Sequence, residues 1–219
     1  MGAILTVATS KGGGGKSTLV QCLAANLAQS GYSLTVVDAD TSATFSDWHA
    51  EAYEGPPFKC VAETDESGVV NVAQAEADHK DVVLIDTAGW ASVTASYAIS
   101  AADFVLIPCM PDRGSIREAI RTARKVESLG KARRQALPYS IIGTRWRDGG
   151  LVERATLEAL QAEGLPVMKR TLKHLAALPM ASMTGRFPVS GRVGYEADLI
   201  IQELVALGAL PATAAEGAE

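Results

Sequence analysis

The chain predicts a doubly wound α/β fold, a mostly parallel sheet with helices on both faces, on three observations. First, an apolar run (Ala3, Ile4, Leu5, Val7, Ala8) leads into a glycine-rich stretch, after which Leu19, Leu23 and Leu27 recur at helical spacing. Second, Val82, Val83, Leu84 and Ile85 form a β-branched apolar run that ends in Asp86, with Gly89 three residues later. Third, strand-like and helix-like segments alternate through the whole length, the pattern that parallel strands joined by helical crossovers require.

In order, the first strand gives way to a helix from Leu19 that stops at Gly31, well placed as the residue after the cap. Ser33–Val37 reads as a buried strand that delivers Asp38-Ala39-Asp40 to the carboxyl edge of the sheet. Thr41–Trp48 leads into a short helix, broken by Gly55-Pro56-Pro57, and Phe58–Ala62 is a weaker strand. Val69–Ala77 is a helix, the Asp81–Asp86 strand follows, then a helix over Val93–Ala102 and a strand over Phe104–Pro108. A helix over Ser115–Leu129, a strand over Tyr139–Gly143, a helix over Leu151–Glu163 closed by Gly164, a short strand from Val167 and an amphipathic helix over Gly194–Leu207 complete the chain. Residues 1–207 read as a single domain and 208–219 as a disordered tail, small and acidic from Pro211 on.

The stretch Thr9 to Thr18 (TSKGGGGKST) carries the most specific chemistry. Glycines let successive backbone N–H groups turn toward one centre, and the first turn of the following helix adds unpaired N–H groups and the positive end of its dipole. Gly12, Gly13, Gly14 and Gly15 therefore form a cradle for a di- or triphosphate, with Lys16 reaching the outer phosphates, Ser17 offering a hydroxyl to Mg²⁺, and Thr18 in the same helical turn. Asp86, at the end of its strand, is placed to accept hydrogen bonds from metal-bound water, and the Gly89 N–H to sense a γ-phosphate.

With 47% hydrophobic residues in 219, the chain can close one sizeable core. Three cysteines (Cys22, Cys60, Cys109) at wide spacing form neither a C-x-x-C pair nor an even disulfide framework, which points to a reducing compartment. The start lacks a basic n-region and no apolar stretch approaches 18 residues, so neither a signal peptide nor a membrane span is expected and the location reads as cytoplasmic. The net charge of −5 hides an asymmetry. Residues 1–110 carry −9, residues 111–147 carry +7, and residues 148–219 carry −3. Arg117, Arg121 and Arg124 fall at i, i+4 and i+7 on one helix face, with Lys131, Arg133 and Arg134 expected in the loop beyond. This segment is the candidate surface for duplex DNA; the plain alternative is the solvated face of a helix.

K-G-G-x-G-K-[ST], here Lys11 to Ser17, resembles the deviant Walker A motif of the ParA/MinD group of P-loop ATPases, and the resemblance runs from Ile4 to about Leu207. Asp38-x-Asp40 matches the family's D-x-D element, Asp86-Thr87-Ala88-Gly89 its Walker B and switch II, and Trp48 stands where small ParA proteins commonly carry a tryptophan. Pro108-x-x-Pro111 and Thr144-Arg145 resemble the loops that frame the nucleotide's base. The resemblance implies an ATP- and Mg²⁺-dependent ATPase that dimerises with ATP, Lys11 crossing to the partner's nucleotide and Lys16 holding phosphate. Ser17, Asp40 and Asp86 would gather around the metal, Asp40 also orienting the attacking water. It further implies a slow, partner-stimulated switch: a ParB-like or other adaptor protein, non-specific binding to nucleoid DNA, and segregation of a plasmid, chromosome region or protein cluster, without a membrane. A MinD-like membrane switch and a synthetase-type metabolic enzyme of the same fold are the alternatives. Two departures stand out. Ser10 occupies the usual first glycine, and Thr41-Ser42-Ala43-Thr44 follows Asp40 where the family writes P-Q-G-S.

Overall fold

The computed structural model describes residues 1–89 and 92–212. Its element order is β1 (Ala3–Val7), α1 (Lys16–Gln29), β2 (Leu34–Ala39), α2 (Thr44–Glu51), β3 (Lys59–Ala62), α3 (Glu66–Ala77), β4 (Val82–Thr87), α4 (Val93–Ala101), β5 (Phe104–Cys109), α5 (Arg113–Ala132), β6 (Tyr139–Trp146), α6 (Leu151–Ala162), β7 (Leu172–Lys173), α7 (Ala177–Thr184) and α8 (Gly191–Ala206). The strands form one seven-stranded sheet in the order β3-β2-β4-β1-β5-β6-β7, and every pairing is parallel. Leaving β1, the chain adds strands on both sides of it, and the loops at the strand carboxyl ends open onto that reversal, where doubly wound sheets place their ligands.

Alternation along the strands decides which helix covers what. Leu5 and Val7 of β1 face one side, where they join Leu19, Leu23 and Leu27 of α1 and Ile200 and Leu204 of α8 in a core that also takes in Phe45, Trp48 and Leu178. Ile4, on the other side, packs with Val37, Val83 and Ile85 under Val69 and Ala73 of α3. Further along that side, Val105, Ile107 and Ile141 meet Ala119, Ala123 and Val126 of α5 and Leu160 of α6. Register then aligns the chemistry: Asp86 pairs with Val7 on one flank and with Asp38 on the other, so three strands end level with one another.

Four expectations need correction. The helix read as Ser115–Leu129 is α5, Arg113–Ala132, so Lys131 lies in its last turn rather than in a loop, with Arg133 at the cap and Arg134 just beyond in a left-handed conformation (φ 56°). Gly130 lies inside that helix and permits a close approach: a Cβ there would meet the Gln135 carbonyl oxygen and the Leu137 nitrogen at 3.1 Å. Val167 makes only an isolated bridge to Ile141, and the last strand is the two-residue β7. The sequence reading passes over α7, eight residues with Pro179 in the first turn, where a missing N–H costs nothing. Finally, residues 208–210 belong to the packed chain: Ala209 and Leu210 are buried, and the Tyr32 hydroxyl donates to the Pro211 carbonyl (2.9 Å). The remainder of the expected tail, 213–219, lies outside the described residues.

A candidate nucleotide site at the strand ends

The loop between β1 and α1 has the conformation its glycines allow. Gly13 and Gly15 adopt φ 73° and 85°, and nothing stands within 4 Å of where a Cβ would sit on Gly12 or Gly13. Gly15 is the N-cap of α1 and supplies no side-chain cap, so the first N–H groups of the helix remain free for an anion. Lys16 follows and is buried. Burial lowers its pKa, while the negative charges of Asp86 and Asp40 hold it up.

Asp86 is fully buried, and neither carboxylate oxygen has a hydrogen-bond partner among the described residues. Burial pushes its pKa up to about 7; the neighbouring Ser17 hydroxyl, near enough to act on the charge without bonding geometry, and Lys16 draw it down, while Asp38 and Asp40 add to the rise. An orphaned buried carboxylate beside a helix-start hydroxyl is an oxygen donor set suited to Mg²⁺, which keeps part of its water shell and takes one or two carboxylates. Ser17 and Asp86 thus fit the ion on their own chemistry. The next residue, Thr87, donates its hydroxyl to the Val7 carbonyl (2.9 Å) and fixes β4 to β1 where both end.

Asp38 organises the loop after β2. Its two oxygens accept from the N–H groups of Asp40 (3.1 Å) and Ser46 (2.8 Å), so a single buried carboxylate holds both the candidate water-orienting residue and the first turn of α2. In the sequence Asp38 stands out only as part of the D-x-D element, although a carboxylate two residues before Asp40 is the usual spacing of such a turn. Asp40, half-buried, accepts from the Ser42 N–H (2.9 Å) and does not cap α2, whose N-cap is Ala43 at φ 51°.

Lys11 points away from its own phosphate cradle. Its ammonium donates to both oxygens of Asp112 (2.9 Å each) and to the Ser115 hydroxyl (3.1 Å). Asp112 in turn caps α5 by accepting from the Ser115 N–H (2.9 Å). Against the desolvation that works the other way, the bonds from Lys11 and Ser115 hold the Asp112 pKa down at about 2. The Ser10 hydroxyl donates to Glu118 one turn further along α5, and Gly89 faces the Ser10 carbonyl oxygen, 3.7 Å from the position of a Cβ on that glycine. These partners on α5 lie about 100 residues from the loop in sequence and carry no signal in it.

On the other side of the cradle is a cavity of about 360 Å³ lined by Gly15, Thr18, Thr144 and Arg145 and closed by β7, α7 and the segment between them, with His174 from that segment and Leu178 from α7. Thr144 joins this wall to the cradle by donating its hydroxyl to the Gly14 carbonyl (3.1 Å). Arg145 sits at φ 52° where the β6–β7 register shifts, a bulge that turns its side chain outward. Thr144 and Arg145 are thus brought to the glycine loop. His174, Leu178 and their neighbours were not found from sequence, because β7 and α7 are too short to show a period.

The basic residues stand apart from this site. Arg113, Arg117, Arg121, Arg124 and Lys131 are all exposed and fall on the side of α5 opposite its buried Ala119, Thr122 and Val126. The helix is 20 residues long, about 30 Å, so Arg117 stands near the nucleotide edge and Lys131, Arg133 and Arg134 at the opposite edge of the sheet. Arg121 pairs with Glu118 (2.8 Å), Arg124 with Glu163 (3.4 Å), and Arg133 donates to the Ala102 carbonyl (3.3 Å).

This sheet order, with a glycine cradle after β1 and carboxylates at the ends of β2 and β4, defines a P-loop ATPase of the ParA/MinD group. The comparisons narrow it. Residues 2–187 match the family model described as VirC1 protein, and the chain belongs to that family. It is 31% identical over 170 residues to virC1 of Rhizobium radiobacter, covering 75% of this chain and 74% of that protein. It is 38% identical over 109 residues to ParA of Rhizobium radiobacter, about half of each chain (49%). Among solved structures, the ATP complex of a Cyanothece McdA variant superposes with a TM-score of 0.80 at 16% identity, over 97% of this chain and 98% of that one.

Proposed function

We propose that this protein is an ATP-driven partition or positioning switch: it binds ATP and Mg²⁺ in the P-loop, pairs face to face with a second copy, and holds duplex DNA on the basic side of α5 until hydrolysis releases it. The observation that carries the reading is Asp86, a fully buried carboxylate with neither oxygen hydrogen-bonded among the described residues, beside buried Lys16 at the mouth of an open glycine cradle. Such a pair is costly to maintain unless a ligand completes it.

Each residue then has a role. The free N–H groups from Gly13 to Thr18 and the Lys16 ammonium bind phosphate oxygens. Ser17 and Asp86 hold the metal, which when bound screens the charge that develops on the phosphate. Asp40, kept in place by Asp38, orients water for in-line attack on the outer phosphate. Lys11 reaches the second copy's phosphates, which requires it to leave Asp112; hydrolysis therefore waits for pairing. Arg113, Arg117, Arg121, Arg124, Lys131, Arg133 and Arg134 form the DNA face, and two copies bind better than one by multivalency. A ParB-like or other adaptor stimulates hydrolysis, and the protein resides on nucleoid DNA in the cytoplasm.

Light scattering and retention of random-sequence duplex DNA test this together. ATP with Mg²⁺ should double the mass and retain DNA, ADP should do neither, and Asp40→Ala should bind ATP and keep the doubled, DNA-bound state. The same mass with ATP, ADP and no nucleotide overturns the paired-switch reading.

A further inference from the structure

We propose that Glu118 is a positioning residue through which the P-loop sets the charge of the DNA face. The link is one carboxylate used twice: its Oε2 accepts from the Ser10 hydroxyl at the entry of the glycine loop, and its Oε1 accepts from Arg121 Nη1 (2.8 Å) on the basic side of α5. Glu118 is only 21% exposed and Arg121 is 58% exposed, so the acid is anchored while the arginine reaches solvent.

The geometry around the link makes it directional. Asp112, Ser115 and Glu118 follow one another at i, i+3 and i+6 and present one edge of α5 to the loop. Lys11 holds the first two and Ser10 the third. Ser10 also backs onto Gly89, whose Cβ position lies 3.7 Å from the Ser10 carbonyl oxygen, so a shift of Gly89 reaches Ser10 and, through its hydroxyl, Glu118. While the Ser10 hydroxyl occupies Oε2, Arg121 is held by a single carboxylate oxygen and turns more readily toward an external phosphate. Once Ser10 withdraws, both oxygens become available, and the planar guanidinium closes on them as a bidentate pair that competes with nucleic acid. A glycine at position 10, the residue usual in this loop, has no hydroxyl with which to do this.

The salt dependence of duplex binding reads the state of Arg121, since each phosphate neutralised contributes about −0.9 to the slope of log affinity against log salt. Measured at saturating ATP, with the paired mass checked for each variant, Ser10→Gly should flatten the slope by part of one contact. Glu118→Gln should steepen it by the remainder of that contact, because Arg121 is released altogether and neutralises one phosphate at most. The double variant should match Glu118→Gln, since without the carboxylate charge Ser10 has nothing to gate. Additive effects of the two substitutions, or an unchanged slope in Ser10→Gly, overturn the proposal. This readout rests on the DNA reading given above. Hydrogen exchange of residues 113–125 does not: in the unmodified chain it should differ between ATP and ADP, and in Ser10→Gly that difference should shrink. An exchange response that disappears in Ser10→Gly while no duplex is retained removes the DNA reading and keeps the link. A response that persists undiminished in the variant removes the link.

Discussion

The phosphate end of the cleft and the end beneath α7 are built by opposite means. At the phosphate end the two carboxylates are the penultimate residues of β4 and β2, Lys16 and Ser17 open α1 directly after the glycine loop, and the parallel register of β1, β4 and β2 aligns Val7, Asp86 and Asp38. Beneath α7 the wall is gathered from Thr144, β7 and an eight-residue helix. It is held by distant contacts: Thr144 on Gly14, Phe187 edge-on to Trp48 at 5.6 Å, and the Gly185 carbonyl accepting from the Glu54 N–H (3.0 Å). One end is fixed by backbone register and buried charge, the other by packing between segments. The first should respond to electrostatics and the second to cavities and strain.

The sharpest way to break the phosphate end is Lys16→Ala. Removing the buried cation that would pair with the outer phosphates costs about 2–5 kcal/mol of binding, so affinity should fall by roughly 1.5 to 3.5 decades for ATP and for inorganic triphosphate alike. Calorimetric titration with both ligands checks it; a loss confined to ATP would show that the two ends are not separable in this way.

Asp86 tests the electrostatic half through pH. Its folded pKa is about 7 against an ordinary value near 3.8, so between about pH 4 and 7 the folded, metal-free protein binds a proton that the unfolded chain does not. Stability should therefore fall as pH rises through that window, by on the order of 4 kcal/mol in all. Asp86→Asn should remove the decline and melt higher than the unmodified chain at pH 8 without metal, while losing its response to Mg²⁺. Thermal melts from pH 4 to 8 decide it, and an equal slope in both proteins refutes the assignment.

Gly185→Ala attacks the other end. The residue sits at φ 71°, and a Cβ would collide with the Ala52 carbonyl oxygen. Left-handed strain and overpacking together should destabilise by roughly 2–4 kcal/mol. Affinity for ATP should drop while affinity for triphosphate, measured below the melting range, stays within twofold. Equal losses for both would mean that α7 supports the cradle too. Smallest is Thr144→Val, which keeps shape but removes the hydroxyl that joins β6 to the glycine loop and leaves the Gly14 carbonyl without that donor. A loss of about 1 kcal/mol in denaturant melts is expected; no change would mean that the ends are independent.

Asp38→Asn sharpens the same comparison from the hydrolytic side. An amide in place of the carboxylate sets an N–H₂ against the Asp40 or Ser46 N–H, so kcat should fall about tenfold, the equivalent of roughly 1.4 kcal/mol, with KM for ATP little changed. A steady-state assay that finds KM raised and kcat intact would instead place Asp38 in binding.

The phosphate end was legible in the sequence because its determinants are short and contiguous. The glycine run with Lys16, Ser17 and Thr18, the strand ending at Asp86 and the Asp38-x-Asp40 pair each announce themselves within ten residues, and a parallel α/β fold leaves them no other edge of the sheet to occupy. The alternation of strands and helices likewise settled the fold class, since buried strands and amphipathic helices carry distinct periods. Tertiary structure decided the rest. That Lys11 rests on Asp112, that Glu118 joins Ser10 to Arg121, that α7 closes the cavity, and that Lys131 ends a helix 30 Å (about 20 residues at 1.5 Å each) from the cradle's edge are facts about segments that meet only after folding. Their cause is the shape complementarity and charge pairing of surfaces far apart in the chain, which leave no periodic trace in the sequence that specifies them.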